Sequence, residues 1–484
     1  MVFNSIPFLI FFVVVFILYY FVARERRQWQ NWILLLASYF FYGYANWKML
    51  ALLLVATIIF YYIGIYIPKV SEKNQDRLKV TGVVLGLGLL LYFKYLGFFI
   101  DSFAALFDAC GLHTNLHSFK IIMPLGISFF TFRLISYVLE VYDENIDPEK
   151  DFVSFATYVS FFPCILSGPI DRPNTFLPQM AQTRKFDYSM AVAGCRQILW
   201  GMFLKIVIAD NAALYVDKVW GDLSAYSAST LALAAALYVI QLYADFAGYS
   251  DMAIGIGKLL GIRIQENFNY PLFALNIADL WRRWHISLTK WMTDYVYTPL
   301  SFVLRGWGKW GMMLAIIVNF VLVGFWHGAN WIYGVYGLYH GLLFVPLILS
   351  GEFMKKREIR LNRFHLPVIA DLGRMLLTFC LFAIGGIIFR SESVSLTWEY
   401  LSSLGSSSLF STPWLMTRYY YIPLAICIVI MYGKEWVERV HGGKDSAEVY
   451  KPKTWVRWLW YLSLFAWIFF FGAFQNEQFI YFQF

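Results

Sequence analysis

Charged side chains are scarce in this chain. Asp, Glu, Lys and Arg together make up 14% of its 484 residues, whereas an ordinary soluble domain carries about 25%. The apolar residue types make up 60%, and aromatic residues 20%. This composition excludes a disordered chain, and the net charge of +8, placed in short clusters between apolar runs, excludes a nucleic-acid-binding protein. It predicts an all-α polytopic membrane protein, folded as a single domain over residues 1–484.

Cysteine is also rare, and the motifs of several enzyme classes are missing. The five cysteines stand singly with no CxxC pair, which excludes a disulfide scaffold and favours free thiols. No HExxH motif occurs, and no metal site is expected. The nucleophile motif GxSxG and the phosphate-binding loop GxxxxGKS/T are absent, and no GxGxxG motif follows a predicted strand. Hydrolase, nucleotide-binding and dinucleotide-binding folds are therefore not indicated.

Long apolar runs dominate what is present. A membrane-spanning helix needs about 20 apolar residues. Besides the first run at 3–22, charge-free runs occur at 31–47, 49–68, 80–93, 152–170, 223–244, 310–351, 375–389, 419–433 and 458–476. Since 310–351 is long enough for two passes, about eleven spans are predicted. Residues 121–142, interrupted by Arg133 and Glu140, are expected to form a broken or re-entrant helix that lines a cavity.

Lysine and arginine clusters predict the orientation. The first run has no basic residue before it and three after it, which is typical of a retained helix with its C-terminus inside and not of a cleaved signal. The loops at 24–30, 69–79 and 352–360 hold Lys/Arg clusters, so we expect them to be cytoplasmic.

Two histidines lie in unusually apolar surroundings. His327 stands midway through the 310–351 run, between Trp326 and Gly328, and a neutral imidazole suits proton transfer near neutral pH. The alternative is a core histidine bonded to a neighbouring helix. His285 is expected on an amphipathic helix with Arg282 one turn earlier.

Polar residues around these histidines are further candidates. Arg282 and Arg283 either hold phosphates of a coenzyme or pantetheine, or snorkel towards lipid headgroups. Asp245 and Asp251, with Tyr249 and Ser250, either form a buried polar network or mark a helix that emerges into water. The candidate binding residues are Arg282, Arg283, Asn330, Trp326, Asp245, Tyr249 and Asp251.

Several long motifs carry a resemblance to a known family. They are PLGISFFTF at 124–132, DFAGYSDMAIGIGKLLGI at 245–262, ENFNYP at 266–271, WRRWHISLTKWMTDYVY at 281–297 and GFWHGANW at 324–331. With these motifs the chain resembles the membrane-bound O-acyltransferase (MBOAT) family, in its bacterial AlgI/DltB-like branch, nearly from end to end. The resemblance implies a helical bundle around a tunnel, with the acyl donor entering from the cytoplasm and the acceptor hydroxyl from the other face.

The resemblance also implies roles for individual residues. His327 corresponds to the family's near-invariant catalytic histidine, and His285 to its second one. His327 would take the acceptor proton, while His285, Asn330 or backbone N–H groups near Gly328 would stabilise the oxyanion. Direct transfer is favoured over an acyl-enzyme on Ser287 or Tyr297, because no activating partner is visible in the sequence.

The expected function is O-acylation, most simply O-acetylation, of an exported or cell-surface polysaccharide in the bacterial cytoplasmic (inner) membrane. The donor would be acetyl-CoA or an acyl carrier thioester, with no permanently bound cofactor. An acetylesterase-like periplasmic protein or an acyl carrier protein is an expected partner, besides the lipid bilayer. D-alanyl transfer towards teichoic acid is the alternative, since TPLSFVLRGWGKWG at 298–311 lacks the asparagine usual in alginate-type members. A transporter or flippase would show repeats and paired broken helices, which the sequence lacks.

Overall fold

Helices make up most of the part of the chain that the structure describes. A computed structural model describes residues 1–112, 121–441, 453–474 and 479. Within these ranges the extended backbone forms a single isolated bridge, between Leu361 and Pro367, and no sheet. The all-α prediction is therefore confirmed. The described chain divides into two compact units.

The first unit comprises Met1–Ile198 and Met252–Gln265. Its helices are α1 (Ile6–Ile17), α2 (Arg27–Ala45), α3 (Trp47–Tyr66), α4 (Glu72–Leu90), α5 (Leu96–Ala109), α6 (Ile127–Tyr142), α7 (Phe152–Ser160), α8 (Pro173–Met180) and the start of α9 (Tyr188–Met202). Helix α6 carries Arg133, which is among the largest fully buried side chains of the described residues.

The second unit comprises Leu199–Asp251 and Glu266–Phe484. Its further helices are α10 (Asp210–Trp220), α11 (Ala228–Leu259, whose last turns belong to the first unit), α12 (Ile277–Trp281), α13 (Ile286–Met292), α14 (Thr298–Val303), α15 (Gly308–His327), α16 (Trp331–Leu343), α17 (Val345–Leu349), α18 (Ile369–Arg390), α19 (Val394–Ser403), α20 (Arg418–Val440) and α21 (Thr454–Phe471). This unit holds both candidate catalytic histidines.

Nine helices among the described residues are long and apolar enough to cross a membrane, and a shorter apolar helix spans Ile6–Val22. The nine are Trp47–Lys69, Glu72–Ala109, Tyr188–Trp220, Ala228–Leu259, Ile286–His327, Trp331–Leu349, Ile369–Arg390, Arg418–Val440 and Thr454–Phe471. The prediction of a multi-pass membrane protein is confirmed, while the count of eleven was only approximate. The search for charge-free runs missed Tyr188–Trp220, because Arg196 and Lys205 interrupt it.

The predicted span at 152–170 is wrong. Helix α7 ends at Ser160 after nine residues, and turns follow it. The guanidinium of Arg133 donates to the carbonyl oxygens of Tyr158 and Val159, each at 3.2 Å, and to that of Pro169 at 3.2 Å. A buried arginine therefore satisfies backbone groups that a continuing helix would otherwise satisfy. The expected break in 121–142 is absent from α6 itself, which runs unbroken from Ile127 to Tyr142 with Arg133 buried within it.

Candidate active site

Helices α15 and α16 pack with their backbones in contact. A Cβ atom on Gly324 would lie 2.0 Å from the carbonyl oxygen of Tyr333, and one on Gly337 would lie 2.2 Å from that of Phe320. Only glycine permits this approach, which is a common device for helix pairs in membranes. The close pairing brings the end of α15, and hence His327, against the side chains of α16.

His327 is the last residue of α15 and is buried. Aromatic rings surround its imidazole: the centroid distances are 5.0 Å to Trp326, 6.0 Å to Tyr336 and 5.0 Å to Phe389. The helix ends here because Gly328 is extended, with φ −168° and ψ 157°. The imidazole therefore sits at a helix end inside an aromatic environment, which limits its access to water.

His285 does not lie within a helix, contrary to the sequence-based expectation. Helix α12 ends at Trp281 and α13 begins at Ile286, with His285 in the turn between them. Its backbone is left-handed, with φ 43° and ψ 51°, a conformation uncommon for residues other than glycine. The turn is held by Asn267, whose carbonyl oxygen accepts from the Ile286 N–H at 2.9 Å. Strained backbone of this kind often occurs at functional sites.

Asn267 also orients the His285 ring. Its Oδ1 accepts from the backbone N–H of Ser287 at 3.3 Å and from the Ser287 hydroxyl at 2.9 Å, and it lies 3.1 Å from Nδ1 of His285. Because a backbone N–H can only donate, this atom is the amide oxygen, and Nδ1 of His285 must be the donor. Burial lowers the pKa of His285 to about 3. The ring is therefore neutral, and Nε2 carries a lone pair.

One indole joins the two histidines. The Trp326 ring centroid lies 5.6 Å from that of His285 and 5.0 Å from that of His327. Phe246 of helix α11 also contacts His285, with a distance of 4.6 Å between the two ring centroids. The Asn267 amide also donates to the Ser250 hydroxyl of α11 at 3.2 Å. The structure thus brings His285, Trp326 and His327 together in the second unit. Ser250 is linked to His285 through the side chain of Asn267.

Asn330 has a local structural role. Its side chain accepts from the Ile332 N–H at 3.1 Å as the N-cap of α16, and its amide nitrogen donates to the carbonyl oxygen of Glu392 at 3.3 Å. An asparagine in this position satisfies a donor at the helix start. With these two bonds, Asn330 fixes the beginning of α16. The expected role of Asn330 in oxyanion stabilisation stays a prediction.

Asp245 belongs to a buried polar network, but its partners there, Lys205 and Asp210, are not among the residues that the sequence analysis predicted. Lys205 Nζ lies 2.7 Å from the Asp245 carboxylate and 2.6 Å from that of Asp210, and all three side chains are less than a tenth exposed. Helix α11 continues well past Asp245, so it does not emerge into water there. Lys205 lies in a π-helical segment, Phe203–Ala209, and such segments are frequent at functional sites.

A Lys205→Met variant is expected to be strongly destabilised. Removing the cation takes away the partner that two buried acidic side chains share, and the loss of one partner of a buried ion pair typically costs about 3–5 kcal/mol. Thermal unfolding in detergent and the amount of protein in membranes measure the effect, with the exposed Lys290→Met as the matched control. Wild-type thermal stability of Lys205→Met would contradict a stabilising role for the triad.

Tyr249 and Asp251, also on α11, are both buried. The Tyr249 ring stacks on Phe479 with a centroid distance of 4.6 Å. Neither is placed beside His285 or His327 by a contact described above, and their predicted binding role stays a prediction.

The two arginines before His285 differ in their surroundings. Arg283 Nε donates to the Asp279 carboxylate at 2.8 Å, and Asp279 in turn caps the neighbouring backbone at Leu275. Arg282 is exposed, and its guanidinium lies 3.5 Å from the carbonyl oxygens of Phe353 and Lys355. Arg283 therefore braces the turn, whereas Arg282 faces the basic loop at 353–360.

Metal ligands do not converge in the described part of the chain. No group of three His, Cys, Asp or Glu side chains there could hold a metal ion. The sequence does contain one His-x-x-x-His spacing, at His113 and His117, which lie outside the described residues. The absence of a metal site stays a prediction.

Sequence reasoning missed two buried polar residues of the second unit, Lys205 and Asn267. Lys205 could have been found, because it is a lone charge within the apolar stretch 197–209. Asn267 lies in the ENFNYP motif, but nothing in its local sequence indicates that it bonds to a residue 18 positions later.

Comparison with known sequences identifies the family of the chain. A family model described as membrane-bound O-acyltransferase matches residues 40–384. The chain is 33% identical over 412 residues to a probable alginate O-acetylase AlgI of Azotobacter vinelandii, covering 84% of this chain and 78% of that protein. It is 31% identical over 402 residues to a peptidoglycan O-acetyltransferase of Helicobacter pylori, with coverages of 77% and 73%. It is 31% identical over 253 residues to a teichoic acid D-alanyltransferase of Bacillus subtilis, with coverages of 49% and 62%. The chain belongs to the membrane-bound O-acyltransferase family and is an O-acyltransferase.

Proposed function

We propose that the protein transfers an acetyl group from a thioester donor to a hydroxyl group of an exported or cell-surface polysaccharide. The observation that carries this proposal is the pair of buried imidazoles, His285 and His327, on one indole, Trp326. The relatives named as O-acetylating enzymes align with 84% and 77% of the chain, against 49% for the D-alanyltransferase. Acetyl is therefore favoured over D-alanyl as the transferred group.

In this proposed reaction, His327 acts as the general base. Its neutral imidazole takes the proton from the acceptor hydroxyl as the oxygen attacks the thioester carbonyl carbon. The tetrahedral intermediate collapses, the carbon–sulfur bond breaks, and the imidazolium returns the proton to the leaving thiolate. The aromatic walls formed by Trp326, Tyr336 and Phe389 keep water away, so the donor is not hydrolysed. Transfer is direct, without an acyl-enzyme.

The protonation of His285 changes the role expected for it. With Nδ1–H donated to Asn267, the neutral ring offers a lone pair at Nε2 and no second N–H. It therefore accepts a hydrogen bond, which suits orientation of a sugar hydroxyl better than stabilisation of an oxyanion. The indole N–H of Trp326 or backbone N–H groups near Gly328 are then the oxyanion donors.

The setting follows from the same proposal. The protein works in the bacterial inner membrane, with acetyl-CoA or an acyl carrier thioester as the cytoplasmic donor and no bound cofactor. An acetylesterase-like periplasmic protein is the proposed partner in modification of the polysaccharide.

The decisive experiment measures ester groups on the exported polymer. The gene is deleted in its own host and restored as wild type. Released acetate and released D-alanine are then quantified in the purified polysaccharide after mild alkali. We expect acetate to disappear on deletion and to return with the restored gene. Loss of D-alanine alone would support the alternative acyl group, and unchanged esters in all strains would refute acyl transfer to this polymer.

Arg282 is proposed to contact the phosphates of the donor. It is exposed beside the basic loop at 353–360, whereas Arg283 is committed to Asp279. An Arg282→Gln variant should raise the apparent KM for acetyl-CoA about three- to tenfold, the size of one hydrogen bond of about 1 kcal/mol at an exposed position, with little change in kcat. Initial rates in membrane vesicles against acetyl-CoA concentration measure this, with the exposed Lys290→Gln as control. An unchanged KM would instead place Arg282 at lipid headgroups.

A further inference from the structure

A third imidazole, His340, is completely buried on α16. The Trp281 indole nitrogen, which can only donate, lies 3.4 Å from its Nδ1. Nδ1 is therefore the acceptor, and the neutral ring carries its proton on Nε2. This protonation pattern is the reverse of that in His285, so the two buried histidines are not interchangeable.

His340 contacts the supports of both candidate catalytic histidines. On one side it accepts from Trp281, the residue that ends α12 and precedes the turn holding His285. On another side its ring centroid lies 4.6 Å from that of Tyr336, one turn earlier on α16. The Tyr336 ring lies 6.0 Å from that of His327. A single side chain thus touches the element before His285 and the ring beside His327.

Neighbouring side chains and helix α18 enclose the ring of His340. A Cβ atom on Gly385 of α18 would lie 2.4 Å from its Nε2. Helix α18 therefore packs directly against the ring, and the absence of a side chain at Gly385 makes this contact possible. The rings of Trp281 and Phe382 enclose it further, at centroid distances of 5.1 and 5.7 Å. Such confinement suits a group whose task is to hold others in place.

We propose that His340 is a positioning residue for acyl transfer: through the Trp281 hydrogen bond it sets the turn that carries His285, and through Tyr336 it sets the ring of His327. This inference rests on the proposed function of those two histidines. A displacement of about 1 Å in a reacting group can reduce a rate about 10²-fold. His340 can therefore control turnover without touching the substrate.

Three substitutions separate the hydrogen bond from the packing. His340→Asn places an amide oxygen where Nδ1 was and keeps the acceptor for Trp281, His340→Gln moves the amide towards the Nε2 position, and His340→Phe keeps only a ring. We expect His340→Asn to retain kcat within about threefold and the other two to lose about 10- to 10²-fold, with an unchanged KM for acetyl-CoA. Rates in membrane vesicles are normalised to folded protein, measured by gel filtration in detergent.

A double-mutant cycle tests the assigned bond. Trp281→Phe removes the donor and should lower kcat in the wild-type background but change it little in the His340→Phe background, because both substitutions break the same interaction. Additive effects would overturn the proposal, as would wild-type kcat in His340→Phe. If all three His340 variants merely lose folded protein at equal specific activity, the residue is structural and the proposal also fails.

The two proposals fail in different ways. Normal acetyl transfer by a His327→Gln variant would refute the proposed base, whatever the His340 series shows. Activity lost in His327→Gln but kept in His340→Gln and His340→Phe would refute the positioning role alone.

Discussion

A His327→Gln variant is expected to accumulate in the membrane at the wild-type level and to leave the polysaccharide without acetyl groups. Glutamine fills much of the imidazole volume and can still form hydrogen bonds, but its amide cannot take up a proton. General base catalysis contributes about 10²–10⁴-fold to a rate, and more is lost if His327 also orients the acceptor. Acetate released from the purified polymer measures the effect, with the protein quantified in the same membranes.

The surface provides a matched control for this substitution. His441 is exposed at the end of α20, and His441→Gln should acetylate normally. If the His327→Gln protein does not accumulate in the membrane, His327→Asn is the second variant to test, because its smaller amide fits more easily among the same aromatic rings. Full acetylation by a folded His327→Gln protein would remove the proton-transfer role and with it the proposed mechanism.

Replacement of His285 is expected to lower turnover about 10²-fold, through misorientation of the acceptor hydroxyl. The informative variant is His285→Asn. Asparagine tolerates the left-handed backbone at this position, and its side chain can still bond to Asn267. It lacks any group at the Nε2 position, so its loss of kcat reports on that atom and not on backbone strain. Kinetics in membrane vesicles, with acetyl-CoA as donor, provide the comparison.

Other substitutions at the same position sharpen the result. His285→Ala removes both ring nitrogens and disfavours the left-handed backbone, so it should lose thermal stability as well as turnover. His285→Gln offers an acceptor near Nε2 and should retain more activity than His285→Asn if acceptance of a hydrogen bond is the role. The opposite order, with His285→Asn the more active, would show that the bond to Asn267 matters and that Nε2 does not.

Most of the apolar spans and the unusual setting of His327 were predictable from local sequence. Hydropathy over about 20 residues decides whether a segment can cross a bilayer, because each helix satisfies its own backbone bonds. A histidine inside the longest uncharged run is conspicuous for the same reason, since polar groups at that depth carry a cost. The family resemblance added the pairing of His327 with His285.

The positions that the sequence analysis described wrongly depend on partners far along the chain. The 152–170 segment leaves the helix because Arg133 of another helix satisfies its carbonyl groups. The helix expected around His285 is interrupted because Asn267 bonds to the turn. Neither partner can be identified from the segment itself, since a hydrogen bond between elements has no periodic signature.

Sequence by itself determined the class of the protein: an apolar helical chain with a few charges and imidazoles in its spans. Only the tertiary structure decided what those groups do, because proton position and charge balance depend on the neighbouring atom. Asn267 makes Nδ1 of His285 a donor, whereas Trp281 makes Nδ1 of His340 an acceptor. Lys205 likewise turns Asp245 from an isolated charge into part of a paired triad. In a medium of low dielectric constant these single contacts dominate the chemistry.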